Sequence, residues 1–276
     1  MDFPSKAAEK KYFEQIASFE EFIAWYQQQE HPTYEKPSLT VDIVLVCYNK
    51  IADEIKLLLI QRKSHPYRNS WALPGGFVNP DESAEASVLR ETFEETGVNI
   101  TDENIEQLHT FSTPGRDPRG WVVTVSYLAF IGEEALVAGD DAKEVGWFTL
   151  KHQGKQLFLT KDEIEIVLDI PSGKSVGKNT LAFDHNQLIL KAYQRIINKM
   201  DHEPQVLLVL GDSFTITEAR KVFANFLGVD YKSIDHSNFK KAMLGYFEEI
   251  GERPVGIGRP SKIYRLKAEV ITDSSR

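Results

Sequence analysis

The stretch Gly75–Val98, GGFVNPDESAEASVLRETFEETGV, decides how this chain is read. A glycine pair opens a polar loop, and a helix follows from roughly residue 83 to residue 96, carrying Glu85, Glu91, Glu94 and Glu95. Like charges at i,i+4, such as Glu91 and Glu95, destabilise a helix, so a chain that keeps them on one face calls for a counter-charge there. Glu91 and Glu95 lie one turn apart and Glu94 beside them. A hard divalent cation, Mg²⁺ or Mn²⁺, takes oxygen ligands, usually a few carboxylates plus substrate phosphates, and turns such repulsion into chelation. Arg90 can reach Glu94 at i,i+4. Gly75 and Gly76 let backbone approach a metal or phosphate closely. A solvated acidic helix face would explain any one of these glutamates, but not their joint spacing.

The fixed positions Gly76, Glu82, Arg90, Glu91, Glu94, Glu95 and Gly97 fit Gly-x5-Glu-x7-Arg-Glu-U-x-Glu-Glu-x-Gly-U, with U a bulky apolar residue. This is the Nudix box, and the chain resembles Nudix hydrolases over about residues 35–155. Thr92 departs from the pattern, standing where the family has a bulky aliphatic side chain; a change of packing is expected there, not of chemistry. The resemblance implies an α/β fold, a Nudix α/β/α sandwich around a mixed sheet. It implies Glu91, Glu94 and Glu95 as metal ligands, Glu82 and Arg90 within the catalytic set, and hydrolysis of a diphosphate linked to a nucleoside. Family members often take the general base from a later loop, where AGDDAKEVGW offers Asp140, Asp141 and Glu144 without choosing among them.

Pro114 stands sixteen residues past Val98, within TFSTPGRDPRGWVV. A proline near that place marks the ADP-ribose pyrophosphatase branch, and PGRDPRG resembles that branch and its regulatory relatives. Arg116 and Arg119 are expected to clamp a diphosphate or terminal ribose phosphate; solvated arginines on a turn are the plainer alternative. Arg62 is a weaker candidate for the same pocket.

The bulk properties agree with an ordinary folded chain. It has 276 residues, 42% hydrophobic and 26% charged, with net charge -9, which suggests about two domains and excludes a general polyanion binder. Its one cysteine, Cys47, lies in the apolar run VDIVLVCY; no disulfide can form within the chain, and a cytoplasmic location is expected. No apolar run approaches the ~20 residues of a membrane span, and the charged N-terminus has no signal-peptide core. Residues 10–29 read as one amphipathic helix, placed in an N-terminal segment 1–34.

Beyond residue 155 the pattern changes. PSGKSVGKNT, residues 171–180, superficially resembles a phosphate-binding P-loop, but Gly173 and Gly177 have three residues between them and Asn179 follows Lys178, so that reading fails. It serves instead as a domain boundary within a linker over 156–183. Asp184 is expected to cap a helix with Gln187 at its third position, and Thr215 and Glu218 form a capping box for a second helix that Gly228 ends. DHSNFKKAMLGYF is a third helix, and GERPVGIGRPSKIYRLK a Gly/Pro-rich turn into a strand. From Tyr231 to Lys267 eight basic residues face four acidic ones, a net +4 inside a chain of net -9; such a local reversal suits a phosphate-backbone binder.

Three helices followed by a Gly-rich hairpin is the order of an α+β winged helix, here over 184–268, with about eight residues between the second and third helices where a tight turn is usual. Asn238, Lys240 and Lys241 would lie on the recognition helix, with Arg253, Arg259 and Lys262 at the wing. A helical cap or dimerisation domain is the alternative. LAFDH, NFKKAM and GRPSKIYR resemble the NrtR-type regulators of NAD metabolism, in which a Nudix domain senses ADP-ribose and a winged helix binds DNA. That resemblance implies an ADP-ribose-like ligand, double-stranded DNA with a palindromic operator, and a homodimer. Three readings stay open at this point: a sensor-regulator, a hydrolase with an accessory domain, and an interaction protein that does neither. Every charged box position is present, so catalysis stays open too.

Overall fold

The computed structural model describes residues 3–29, 34–132, 142–254 and 260–272. The chain divides into a unit of residues 1–36 and a unit of residues 37–276. The first holds two helices, α1 (Lys6–Gln15) and α2 (Phe19–Gln27), where the sequence pattern suggested one. The break is a capping event: Ser18 accepts from the Glu21 N–H while the Glu21 carboxylate accepts from the Ser18 N–H, a reciprocal box that starts a new helix. Phe13 of α1 stacks on Trp25 of α2, with centroids 5.0 Å apart.

The second unit begins with β1 (Ser38–Asn49), β2 (Glu54–Arg62), β3 (Trp71–Ala72) and β4 (Gly75–Phe77), followed by α3 (Ala84–Thr96). Then come β5 (Ile105–Phe111), β6 (Val122–Phe130), β7 (Ala142–Gln153), β8 (Gln156–Lys161), β9 (Ile164–Asp169) and β10 (Lys174–Val176). These build one mixed sheet in the order β10-β9-β8-β7-β2-β1-β6-β5, with β3 beside β2 and β4 beside β1. Within this order the neighbours β1 and β6 are parallel. Residues 156–176, expected as linker, are therefore three strands that extend the sheet. Alternation explains this: Leu157, Leu159, Ile166 and Leu168 are fully buried on one face, a period-2 pattern that only a strand can bury.

Strand β1 shows how the sheet divides two cores. Ile43, Leu45 and Cys47 pack with Val88 and Val98 of the α3 side. Val44, Val46 and Tyr48 face the other cluster. That second cluster continues into α4 (His185–Lys199), the 3₁₀ segment Pro204–Leu210 and α5 (Ile216–Leu227), and on to α6 (His236–Met243) and the hairpin of β11 (Phe247–Arg253) and β12 (Ser261–Leu266). A short helix α7 (Ala268–Thr272) follows. The sheet and the C-terminal helices thus share one apolar core.

Local chemistry sets the C-terminal helices. The Thr215–Glu218 capping box is present, and Gly228 ends α5 with φ 67°. Asp184 stands at the N-cap of α4, but its side chain caps nothing, because its carboxylate is held by Arg116. The long connection between α5 and α6 is closed by Arg220, which is buried and donates to the carbonyls of Tyr231 and Ile234.

Candidate functional site

The loop and helix that opened the reading are joined by hydrogen bonds. Ser83 caps α3 by accepting from the Ala86 N–H, and Gly97 ends it at φ 72°. Thr92 is fully buried, and its hydroxyl donates back to the Val88 carbonyl, so the small polar side chain leaves no unpaired atom. Arg90 organises the box. Its guanidinium donates to Glu82 at 2.6 and 3.1 Å, to Glu91 at 2.8 Å and to Glu94 at 3.0 Å. Arg90 above all holds the Glu82 carboxyl down to about 2.

Glu91 and Glu95 lie deeper. A Cβ on Gly76 would sit 2.3 Å from the Glu91 carboxyl, so any other residue there would push that carboxyl out of its present place. Glu95 is 9% exposed and accepts from the Gly75 N–H at 2.9 Å. Burial pushes its carboxyl up to about 8 despite that bond, with Glu91 and Asp42 adding like-charge repulsion. Burial raises Glu91 as well. Among the described residues no three Asp, Glu, His or Cys side chains already converge as an ion-holding group, and Arg90 bonds both Glu91 and Glu94. The donor chemistry nevertheless fits a hard divalent cation: buried carboxylates that repel one another, beside a backbone stripped of side chain.

In front of this helix lies a cleft lined by Asp42, Arg62, Phe77, Arg119, Phe183 and His185, among others. Arg119 is held by Asp117, whose carboxylate accepts from its Nη2 at 2.6 Å and from its Nε at 3.0 Å. The Arg119 guanidinium lies 4.8 Å from the centroid of Phe77, which is 43% exposed. Arg62 lies 4.9 Å from the centroid of Phe183. Burial, then the charge of nearby Arg119, pulls the Arg62 guanidinium below its usual value. The cleft thus brings two guanidinium groups and aromatic rings together with the carboxylates of Asp42 and Asp117.

Arg116 has a different setting from the one expected. It lines the cleft but is buried, donating to both Asp184 oxygens at 2.7 and 3.0 Å and lying 3.8 Å from Asp42. Asp42 also accepts from the Thr124 hydroxyl at 2.7 Å. The buried His185 accepts on Nδ1 from the Leu73 N–H and sits 3.4 Å from Asp42, and burial lowers its pKa. Of the three general-base candidates, Glu144 is paired with Lys161 at 2.6 Å, while Asp140 and Asp141 lie outside the described residues.

The basic residues of the C-terminal part fall into two groups. Lys240 and Lys241 occupy the last turn of α6, and Asn238 its exposed first turn, where its N–H is capped by Asp235. Neither lysine is ion-paired with another described residue. Lys262 instead pairs with Glu249 across the hairpin, Arg265 with Glu248, and Arg253 with Glu218 of α5. Arg259 lies outside the described residues.

Comparison with known proteins follows the same division. The NUDIX domain family matches residues 36–168, and the NrtR DNA-binding winged helix domain matches residues 206–266. The ADPR responsive transcriptional repressor NtrR of Acinetobacter baylyi is 30% identical over 91% of this chain and 89% of its own length. The chain belongs to the NrtR family.

Two solved structures extend the likeness. A MutT/nudix family protein from Enterococcus faecalis is 68% identical, with a TM-score of 0.92 over 96% of this chain and all of that one. Shewanella oneidensis NrtR, solved with a 27mer DNA, is 31% identical, with a TM-score of 0.64 over 85% of this chain and 95% of that one. In this NrtR-family chain the sheet of the Nudix part continues past residue 168 to β10, and α4 precedes the residues matched as winged helix. No helix among the described residues is long and apolar enough to cross a membrane. Sequence reasoning missed Asp42, Phe77, Phe183 and His185 in the cleft. LAFDH held two of them in plain view; Asp42, inside an apolar strand, carried the signal of a charge where a core residue is expected.

Proposed function

We propose that this chain is a transcriptional regulator whose Nudix domain binds ADP-ribose or a related nucleoside diphosphate and thereby controls DNA binding by its winged helix. The observation that carries this reading is the cleft itself. Arg62 and Arg119 bring two guanidinium groups into one cleft with the Phe77 and Phe183 rings, beside the glycine pair that leads to the carboxylate helix. A diphosphate between the arginines relieves their repulsion, and the exposed Phe77 ring suits a base or a sugar edge. Arg116 serves as a strut under this cleft and not as a clamp. The relative from Acinetobacter baylyi is named for its response to ADPR, and the Shewanella oneidensis relative was solved on DNA; both support the assignment.

Glu91, Glu94 and Glu95 would hold a divalent cation, Mg²⁺ or Mn²⁺, with Gly75 and Gly76 giving it access and Glu82 and Arg90 bracing the helix. When bound, such an ion neutralises phosphate charge and activates water. The retained carboxylates favour a second activity, slow hydrolysis of the same ligand to AMP and ribose 5-phosphate. On the DNA side the exposed Asn238 and Lys241 and the half-buried Lys240 of α6 are assigned to the duplex. Lys262 and Arg253 reach it by exchanging a carboxylate partner for phosphate, with Arg259 as the remaining wing contact. A homodimer reading a palindromic operator fits a winged helix with one recognition helix per chain, and the single buried Cys47 suits a reducing, cytoplasmic setting.

The deciding experiment is a mobility shift with duplex DNA from upstream of the gene encoding this chain, with and without ADP-ribose. Retarded DNA released by ADP-ribose supports the reading. DNA that never shifts, or a complex unmoved by saturating ligand, refutes it.

A further inference from the structure

We propose that Phe183 couples occupancy of the cleft to the winged helix, an inference that rests on the ligand-sensing reading above. The Phe183 ring is shared by both cleft cations, with Arg62 at 4.9 Å and Arg119 at 5.7 Å from its centroid. It also meets Tyr67 at 4.8 Å and the His185 ring at 5.3 Å. Its backbone stands at φ 51°, in the left-handed region that a phenylalanine adopts only when its surroundings impose it.

The residues that follow Phe183 fasten a helix to the same wall. Asp184 receives both bonds from Arg116, and His185 accepts from the Leu73 N–H. From there α4 runs for 15 residues, on the order of 22 Å at 1.5 Å per residue. Along it the buried Tyr193 hydroxyl donates to the Phe226 carbonyl in the last turn of α5, at 3.0 Å. One continuous helix therefore touches the cleft at its start and the DNA-binding part from its middle.

The physical argument runs through the arginines. An anion drawn between Arg62 and Arg119 competes with the Phe183 ring for both guanidinium groups. The contacts that hold Phe183 in its left-handed conformation weaken, and the backbone leading into α4 gains a second arrangement. Coupling between distant sites requires such an element with two states, which both ligands bias. Phe183 acts here as a positioning residue.

The test uses the full chain, its upstream duplex DNA and ADP-ribose, with a chelator present so that ligand is not turned over. The quantity read is the coupling factor, the ratio of ADP-ribose Kd with and without DNA, expected at about 5- to 150-fold for the unmodified chain. Phe183→Leu keeps apolar bulk and loses the π face. Because Phe183 lines the cleft, DNA-free ADP-ribose affinity is measured for the variant in its own right; the coupling factor is a ratio that does not depend on that affinity, and it should fall toward one. A coupling factor equal to that of the unmodified chain overturns the proposal. Hydrogen exchange on the unmodified chain gives a second readout that needs no variant. Saturating ADP-ribose should change exchange over residues 181–199 and leave residues 156–169 unchanged; no change in the first span, or equal change in both, overturns it. If ADP-ribose binds the unmodified chain without weakening DNA, the sensing reading itself falls and the coupling with it, whereas unchanged coupling in Phe183→Leu removes only the role of that residue.

Discussion

The Gly75 N–H donates to the Glu95 carboxylate across 2.9 Å, tying the glycine loop to the last turn of the helix it feeds. That bond favours the charged carboxylate, yet burial outweighs it and pushes Glu95 up to about 8. The sign of the consequence is fixed. A carboxyl raised in the folded state stabilises the fold fully below its unfolded value, and that contribution is lost as pH rises through the folded value. Metal-free protein should therefore lose thermal stability between about pH 4.5 and pH 8. Excess Mg²⁺ should flatten that loss, and its affinity should rise over the same window because binding displaces the Glu95 proton. Glu95→Gln should remove most of the pH slope and the Mg²⁺ effect, leaving the smaller and opposite contributions of Glu91 and His185, while the chain stays folded because the amide oxygen can still accept from Gly75. Scanning calorimetry from pH 5 to pH 9 checks this. A slope that survives undiminished in Glu95→Gln would assign it to another group.

Arg62 and Arg119 should separate from Arg116 on substitution. Arg62→Ala or Arg119→Ala removes a charged donor to the ligand, a loss of about 1.5–3 kcal/mol, or roughly 10- to 150-fold in ADP-ribose affinity. Arg119→Ala also takes the partner from the buried Asp117 carboxylate and should cost stability too, so ligand affinity is the quantity that sets Arg119 apart. Arg116→Ala strands the half-buried Asp184 and the neighbouring Asp42 and should cost up to about 3 kcal/mol of stability. Calorimetric titration beside urea denaturation tells the two classes apart. Full ligand affinity in both Arg62→Ala and Arg119→Ala would remove the clamp.

What could be read in advance, and what could not, follows from the range of the interactions. The carboxylate helix was legible because its chemistry is local: Glu82, Arg90, Glu91 and Glu94 meet within one loop and two turns. Thr215 and Glu218 were legible for the same reason. The roles of Arg116 and Asp184 were not, because their partnership spans 68 residues and competes with the local cap that Asp184 would otherwise make. Residues 171–180 read as a boundary because glycine and proline mark turns, whereas strands on both sides of the turn continue the sheet. The wing lysine and arginines looked free because cross-strand carboxylates such as Glu248 and Glu249 become neighbours only once the hairpin registers.

That pairing yields a prediction for DNA binding. Lys241→Ala should lower affinity and reduce the slope of log K against log salt by about 0.9 per phosphate contact. Lys262→Ala should reduce the slope by less, because the free protein already holds that ammonium against Glu249 at 2.7 Å. Glu249→Ala should tighten DNA binding by freeing Lys262. Fluorescence anisotropy across a salt series checks all three. Equal slope losses for Lys241→Ala and Lys262→Ala, with no gain from Glu249→Ala, would show that the hairpin pairs do not compete with DNA.

Asp53 joins the β1–β2 turn to α5, and it supplies the last prediction. Its carboxylate accepts from the Tyr48 hydroxyl at 2.5 Å and from the Asn225 amide at 3.0 Å, and it pairs with Lys221 at 3.1 Å. Burial opposes its charge, but these donors outweigh it and hold the pKa below the usual value. A depressed carboxylate contributes stability that is present above its unfolded pKa and is lost as pH falls through the folded value. The backbone adds a separate demand, φ 56°, which Asn meets far better than Ala. Asp53→Asn should therefore cost about 1 kcal/mol near neutral pH, with screening by solvent keeping the ion-pair share small. Asp53→Ala should cost about 1–2 kcal/mol more, through left-handed strain and lost acceptors. The gap between parent and Asp53→Asn should close as pH drops below the ordinary aspartate value of 3.8. Urea titrations at pH 7 and at successively lower pH measure it. A gap that stays constant into acid would mean that the charge of Asp53 contributes nothing and that its geometry alone holds α5 to the turn.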